Sequence, residues 1–447
     1  MECNAPTVLV HRGLRGFVFP ALLSGAMTIP FGCQEEGFPV IDPPPTCDLD
    51  AQKEWIYDTM DEVYLWSTEL PTKDEVDFAS YETPEALTTD LRQNVDRWTR
   101  AVDKVESDAL FMEGMRLGIG IKYRSTDDGN FVLRLVHPDS PAGVAGLRRG
   151  DIILSVNGTA AVDATSSDWG PNDEGLVVNF EVIPREQAGD PTAEPQLVPV
   201  TRGWYQIITV ANATVLDLSG ESVGYFYFDT FVKTSVAELD AAFEAFEAAG
   251  VTKLVVDLRY NGGGLISTAR HLMNLLGSSG NDDSVMYKVK YNGNLADNDY
   301  SHRFSSVSNA LPLERIAFIT SGSTSSASEL VINAMLPYTE VELIGDVTSG
   351  KPVGSNSFEF CEKLLFPITF NLLNSLDEGE YFDGITPGCG GEDQPEYELG
   401  DPNESLLSNA LDFLQGGSCS AYQAEPALRP GVDINADDPL AIIHTAR

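Results

Sequence analysis

Two residues stand out for the chemistry they could do together. Ser326 sits in Ser325-Ser326-Ala327-Ser328-Glu329, and Lys351 follows twenty-five residues later, directly after Gly350. A serine hydroxyl is a poor nucleophile at neutral pH and needs a base; a lysine amine serves when burial strips its proton. Bringing such an amine from about 10.4 to near 7 costs about 4 to 5 kcal/mol of desolvation, which only a rigid, mostly dry wall imposes. The flanking sequence supplies a frame for the serine. Ile316 to Thr320 is an apolar run that predicts a buried strand, and Ala327 to Leu336 is apolar at helical spacing. Strand, tight turn and helix expose a serine at a helix N-terminus, where unpaired N–H groups and the helix dipole favour a developing negative charge. A second apolar run, Val341 to Ile344, leads through Gly345 to Ser349-Gly350-Lys351. Taken alone, a serine and a lysine in two turns is a weak signal, because turns are rich in such residues.

Several motifs in one order are more specific. The Ser-Ala-Ser-Glu turn and the later Gly-Lys resemble the C-terminal processing (tail-specific) protease family, which uses a Ser-Lys dyad. Asp257-Leu258-Arg259-Tyr260-Asn261-Gly262-Gly263-Gly264 is similar to that family's Asp-Leu-Arg-x-Asn-x-Gly-Gly segment, and Tyr381-Phe382-Asp383-Gly384-Ile385-Thr386-Pro387 to its Asp-Gly-x-x-Pro segment. Upstream, Leu117-Gly118-Ile119-Gly120-Ile121, Ser140 to Leu147, Gly150-Asp151-Ile152-Ile153 and Val156-Asn157-Gly158 resemble a PDZ domain. The likeness spans roughly residues 50 to 415. It implies Ser326 as nucleophile and Lys351 as general base. The N–H groups of Ala327 and Gly263 are the implied oxyanion donors, with Gly262 and Gly264 as competitors for the glycine. Gly118, Ile119, Gly120 and Ile121 are then the loop and strand that hold a peptide's terminal carboxylate and backbone. Glu329, in the first turn of the helix, is placed to cap it. Asp257 and Arg259 are read as an ion pair under the glycine turn. Some family members place a glutamine four residues after the lysine. Here that residue is Ser355, followed by Asn356, which leaves these two as candidates to orient the amine.

These residues need elements to hold them. Val223 to Phe228 and Val251 to Leu258 read as strands, and Val236 to Ala249 as an amphipathic helix, with Ser235 and Glu238 spaced as a capping box. This alternation predicts an α/β core with crossover helices. The expected fold class is a multidomain α/β and α+β chain: a helical N-terminal domain, a β-rich PDZ-like domain and a crotonase-like protease core. The expected boundaries are 1–33 for an export signal, 34–49 for a tether, 50–104 for the helical domain, 105–205 for the PDZ-like domain, 206–415 for the core and 416–447 for a peripheral tail. In the helical domain Ile56, Met60, Val63 and Tyr64 share one face, and Thr83-Pro84 marks a helix start. Ser166 to Pro199 contains loop-like material inside or beside the PDZ-like domain, with Pro171, Gly175 and Pro184.

Composition bounds the function classes. The chain has 447 residues, 43% hydrophobic, with 68 acidic against 28 basic residues and a net charge of −40. That charge argues against nucleic acid as a partner. Five scattered histidines, none near the serine turn, weigh against a Ser-His-Asp arrangement. None of the six cysteines forms a CxxC pair, so zinc is not expected, and the Ser-Lys chemistry requires no metal or organic cofactor. A basic end with Arg12 and Arg15 precedes the uncharged, largely apolar Gly16 to Gly32, as in an export signal. Cys33 then resembles the lipidated cysteine of a bacterial lipoprotein, although Pro30 and Phe31 replace the usual leucine and small residue. Cleavage without lipidation is the alternative. The implied location is the bacterial cell envelope, periplasmic or membrane-anchored through lipid. With Cys33 lipidated, four cysteines of an exported chain remain to pair in three ways, of which Cys361 with Cys389 is the expected one. The implied substrates are proteins and peptides, taken through free C-termini. Two other readings stay open, because a fold does not fix a function. One is an apolar-ligand carrier, as in the retinoid-binding proteins that share this core; the other is a peptide-binding scaffold with an idle core.

Overall fold

Side chains alternate between the faces of a strand, so a strand apolar throughout must be covered on both sides. The computed structural model describes residues 39–423 and 434–435; the expected export signal and Cys33 lie outside them. Lys253–Asp257 and Arg315–Thr320 are doubly covered strands in the middle of a five-stranded sheet. The sheet order is Val210–Leu218, Glu221–Phe228, Lys253–Asp257, Arg315–Thr320, Glu340–Gly345, with the first pair antiparallel and the rest parallel. Phe226, Phe228, Leu254, Val256, Ile316 and Phe318 pack with the helices Ser235–Ala248, Ile266–Gly277 and Ala327–Met335. Tyr225, Val255, Ala317, Ile319 and Ile344 pack in a separate cluster with the helix Ser405–Leu414. Three neighbouring parallel strands therefore end at one rim. Asp257 leads to the glycine turn, Thr320 to Ser326, and Gly345 to Lys351. Open parallel sheets bind their ligands at this edge.

One expected cap is not there. Thr234, not Ser235, occupies the N-cap of Ser235–Ala248, and Glu238 instead accepts the N–H groups of Thr209 and Val210 at 2.8 and 2.9 Å. A carboxylate in the first turn was free to serve two unpaired amides of the adjoining chain, and the capping pattern could not reveal that competition.

The N-terminal module is only partly helical. Leu49–Val63 is capped by Asp48, and Pro84–Asp90 by Thr83 with Pro84 in its first turn. Short 3-10 turns fill the space between them. Arg100–Asp103 is a strand paired with Lys363–Phe366 of the core. Ile56, Met60, Val63 and Tyr64 bury against Val353, Phe360, Leu365 and Ile368, so the module's apolar face is spent on the core.

The β-rich unit has its own core of Ile119, Ile121, Leu133, Ile153, Val178 and Phe180. Its main sheet runs Ile121–Ser125, Phe131–Val136, Ile152–Val156, Val177–Ile183, Gln196–Thr201. Val177–Ile183 lies within, and Gln196–Thr201 begins within, the stretch expected to contain loop-like material; Val178, Phe180 and Val182 alternate inward among flanking prolines and glycines. The tail was expected to be peripheral, yet Ile434–Asn435 pairs antiparallel with Ile121–Ser125 at the edge of this sheet.

Buried charge joins this unit to the core. The Asp393 carboxylate accepts from Arg134, Arg149, Arg259 and Tyr260. Arg259 also binds Asp257 and Glu404, both at 2.9 Å, which extends the expected Asp257–Arg259 pair into a network. Burial alone pushes the Asp393 carboxyl up, but the three arginines outweigh it and hold the group well below the usual carboxylate range.

The expected Cys361–Cys389 disulfide is overturned. Cys47 bonds Cys361 and Cys389 bonds Cys419, with Cα separations of 5.8 and 5.7 Å. Cys361 lies in the turn after Phe358–Phe360, on which the N-terminal module docks, and this brings it to Cys47. Both bridges fit an oxidising compartment. Among the described residues no helix is long and apolar enough to cross a membrane. Peptide mapping without reduction is expected to recover these two pairs. Cys47→Ser is expected to lower the unfolding free energy by about 2 to 5 kcal/mol in urea titrations. Recovery of a Cys361–Cys389 peptide would overturn the pairing.

Candidate active site

The helix Ala327–Met335 begins at Ser326, whose backbone has φ +58° and ψ −114°. Residues other than glycine rarely adopt this conformation, which costs about 1 to 3 kcal/mol and persists only where the surroundings enforce it. The enforcing group is Glu329. Its carboxylate is fully buried and accepts the Ser326 N–H at 2.8 Å, the Lys351 N–H at 2.8 Å, the Gly350 N–H at 2.6 Å and the Thr348 hydroxyl at 2.5 Å. Burial pushes its pKa up, and the four donors oppose that shift. The first and second of these donors share Oε2, so the backbone nitrogens of Ser326 and Lys351 lie within twice 2.8 Å of each other. The sequence expectation of a cap is met, and Glu329 proves also to tie the serine turn to the lysine turn.

Of the competing serines, Ser328 is fully buried and donates to the Asn261 carbonyl at 3.0 Å. Ser326 is partly exposed at the rim. A hydrogen bond between Ser326 Oγ and Lys351 Nζ is not made.

Gly350 has φ +86°, and a Cβ there would stand 2.3 Å from the Phe382 carbonyl oxygen, so the residue before the lysine must be glycine. The Lys351 amine lies 5.9 Å from the centre of the Trp98 ring. Arg97 rests on the same ring at 5.1 Å and donates to the Ser349 and Phe382 carbonyls at 3.3 and 3.4 Å. Burial lowers the amine to about 8, helped by the charge of Arg100 and opposed by Asp96 and Glu329. The two candidate orienters do not reach it. Asn356 is turned to Thr369 at 2.7 Å, and Ser355 pairs with Ile368 in a strand. The groups around the lysine thus include Asp96, Arg97, Trp98 and Arg100, which sequence reasoning missed. They lie some 250 residues upstream, and no local pattern links them to the lysine.

The glycine turn closes the other side. Gly263 has φ +101°, and a Cβ on it would meet Ser326 Cβ at 2.8 Å and Ser325 O at 2.9 Å. Its N–H, the expected oxyanion donor, is accepted here by Asn261 Oδ1 at 2.9 Å in a local side-chain turn. The Ala327 nitrogen lies 3.0 Å from that same Cβ position, so both expected donors flank the serine.

In the β-rich unit, the Ile119 and Gly120 carbonyls accept the N–H groups of Ala142 and His137, each at 2.9 Å. Gly118 ends one strand and Ile121 begins the next. Lys122, one residue on, donates to Asp229 at 2.7 Å and to the Tyr260 carbonyl at 2.8 Å. Thr230 and Phe231, just after Asp229, donate to the Gly263 carbonyl at 3.1 and 3.0 Å. The strand Ile121–Ser125 is therefore joined by hydrogen bonds to the turn beside Ser326. Among the described residues no group of three or more His, Cys, Asp or Glu is arranged to hold a metal ion.

Comparison with known proteins supports the same assembly. The model of peptidase family S41 matches residues 222–389, that of the S41 N-terminal domain residues 51–100, and that of a PDZ domain residues 132–168. The carboxyl-terminal-processing protease of Synechocystis sp. is 26% identical over 318 residues, covering 69% of this chain and 70% of that protein. The chloroplastic carboxyl-terminal-processing peptidase 1 of Arabidopsis thaliana is 28% identical over 253 residues, or 54% of this chain and 49% of its own length. Among solved structures, a putative S41 protease from Bacteroides fragilis has a TM-score of 0.66 at 23% identity, covering 81% of this chain and 97% of that one. The photosystem II D1 C-terminal processing protease has a TM-score of 0.51 at 20% identity, covering 82% and 99%. These two likenesses speak for the fold. With an S41 core, an S41 N-terminal domain and a PDZ domain in one chain, the protein belongs to peptidase family S41, among the serine-type C-terminal processing proteases.

Proposed function

We propose that the chain is an endopeptidase that hydrolyses protein substrates through an acyl-enzyme on Ser326, with Lys351 as general base. The observation that carries this reading is the Glu329 carboxylate, which holds the N–H groups of both residues on one oxygen. As Ser326 Oγ attacks the scissile carbonyl carbon, its proton passes to the neutral Lys351 amine. The C–N bond then breaks, and the leaving amine takes that proton. Water attacks the resulting ester and gives a proton to Lys351; the bond to Ser326 Oγ breaks and Oγ is reprotonated. The Ala327 N–H and an amide of the Gly262–Gly264 turn stabilise the oxyanion, Gly263 serving once Asn261 releases it. The Gly118–Ile121 element captures free C-termini of substrates. The working domains are 50–104, 105–205 and 206–415. The site of action is outside the cytoplasm, in the bacterial envelope, with Cys33 as the lipid attachment point.

Casein hydrolysis is the direct test. Ser326→Ala and Lys351→Ala are each expected to lower kcat by 10³-fold or more, on the order of what losing a nucleophile or its base costs; unchanged activity in either excludes the dyad. The pH profile has a defined sign. The amine must be neutral to accept a proton, so kcat/KM should be low below pH 8, rise through about 8 and level off above it. A rate that is flat from pH 6 to 9 would contradict lysine as the base.

Glu329 acts through the two turns it binds, as a positioning residue. Glu329→Gln replaces an acceptor by a donor and should cost on the order of 10² in kcat, as misplacement of reacting groups does. It should also move the apparent pKa of the rate profile, which a merely structural loss would leave in place. Gly263→Ala puts a methyl group 2.8 Å from Ser326 Cβ at a positive φ and should depress kcat and lower the melting temperature. Wild-type turnover in that variant would show that the turn does not face the nucleophile.

A further inference from the structure

The strand that follows the PDZ loop already has a neighbour. Ile434 faces Tyr123 and Asn435 faces Lys122 in an antiparallel pair, and this short segment is the outermost strand of the sheet. Adding a strand at an exposed sheet edge is how such domains take extended peptides. An edge strand left bare presents a row of N–H and C=O groups that invites pairing. The direction of the pair is also informative. Ile121–Ser125 runs away from the Gly118–Gly120 loop, so an antiparallel partner runs toward it. That is the direction a captured C-terminal peptide must take to bring its carboxylate to the loop.

The segment is tethered from a fixed point. Cys419 is bonded to Cys389, and the Tyr422 N–H donates to the Gly388 carbonyl at 3.0 Å. From Gln423 to Ile434 the chain spans at most about 40 Å. A ligand on so short a tether has an effective concentration on the order of millimolar, so even weak pairing would hold the edge against dilute competitors.

We infer that the chain's own segment around Ile434 and Asn435 is an internal ligand of the PDZ peptide edge, which an incoming substrate C-terminus must displace. The inference rests on the reading of the Gly118–Ile121 element as the peptide-capturing site. It makes the tail a brake whose strength depends on substrate concentration.

The test uses the Ser326→Ala background, so that probes are not cut, and compares the full chain with one ending at Gln423. A fluorescein-labelled peptide of residues 429–440 is the first probe, and an unrelated ten-residue peptide with a free C-terminal valine the second. Both should bind the shortened chain, and both should bind the full chain roughly tenfold more weakly, because the tethered copy competes. Equal affinity for the two chains overturns the inference. A shortened chain that binds the tail peptide but not the unrelated one sinks the substrate-capture reading and leaves the internal ligand standing. Should the shortened chain fail to fold, Ile434→Pro with Asn435→Pro in the full chain removes whichever of the two adjacent N–H groups faces Ile121–Ser125. Hydrogen exchange of amides 121–125 is then expected to quicken at least tenfold, and unchanged exchange overturns the inference.

Discussion

A single buried carboxylate sets the geometry on which the rest depends. Glu329 is out of contact with solvent and has no cation beside it among its hydrogen-bond partners; three backbone N–H groups and one hydroxyl satisfy it instead. Ionised carboxylates cost several kcal/mol to bury, and hydrogen bonds to a charged group return about 1.5 to 3 kcal/mol each. The balance closes only while all four donors point inward. That requirement forces Ser326 into its unusual backbone conformation and brings the Lys351 turn against the serine turn. Two loops that leave different strands are thereby fixed to a common atom pair.

Around this point the fold is built to deliver turns to one rim. Parallel pairing of Lys253–Asp257, Arg315–Thr320 and Glu340–Gly345 brings the glycine turn, the serine and the lysine out on the same side. The two flanking units then complete the site from outside the sheet. The N-terminal module lays Trp98 and Arg97 over the lysine turn. The PDZ unit reaches the glycine turn through Lys122 and Asp229, and it is held to the core by the arginines gathered on Asp393.

Much of this was legible in the sequence, and the failures share a cause. The strand–turn–helix around Ser326 was readable because its determinants lie within a few residues. The order of the motifs then separated this chain from chance pairs of serine and lysine. Features set by distant contacts were not readable. Trp98 and Arg100 carry no local mark of a role, since only folding brings them to position 351. Four cysteines allowed three pairings, and nothing local selects Cys47 for Cys361. The Ser235 and Glu238 spacing fits a cap, but Glu238 found better partners in Thr209 and Val210. The tail carries no apolar pattern that marks Ile434–Asn435 as a strand.

The wall over Lys351 has a further consequence for where the smallest working piece of this molecule lies. Sequence matching draws the peptidase at residues 222–389, yet the surface that dries its lysine is supplied from residues 96–100. Excised by those limits, the fragment would lose the groups that pack over its lysine, together with the edge strand Val210–Leu218 and the covering helix Ser405–Leu414. Any transplant of the proposed site onto another scaffold must therefore carry Trp98 and its neighbours along with Ser326 and Lys351.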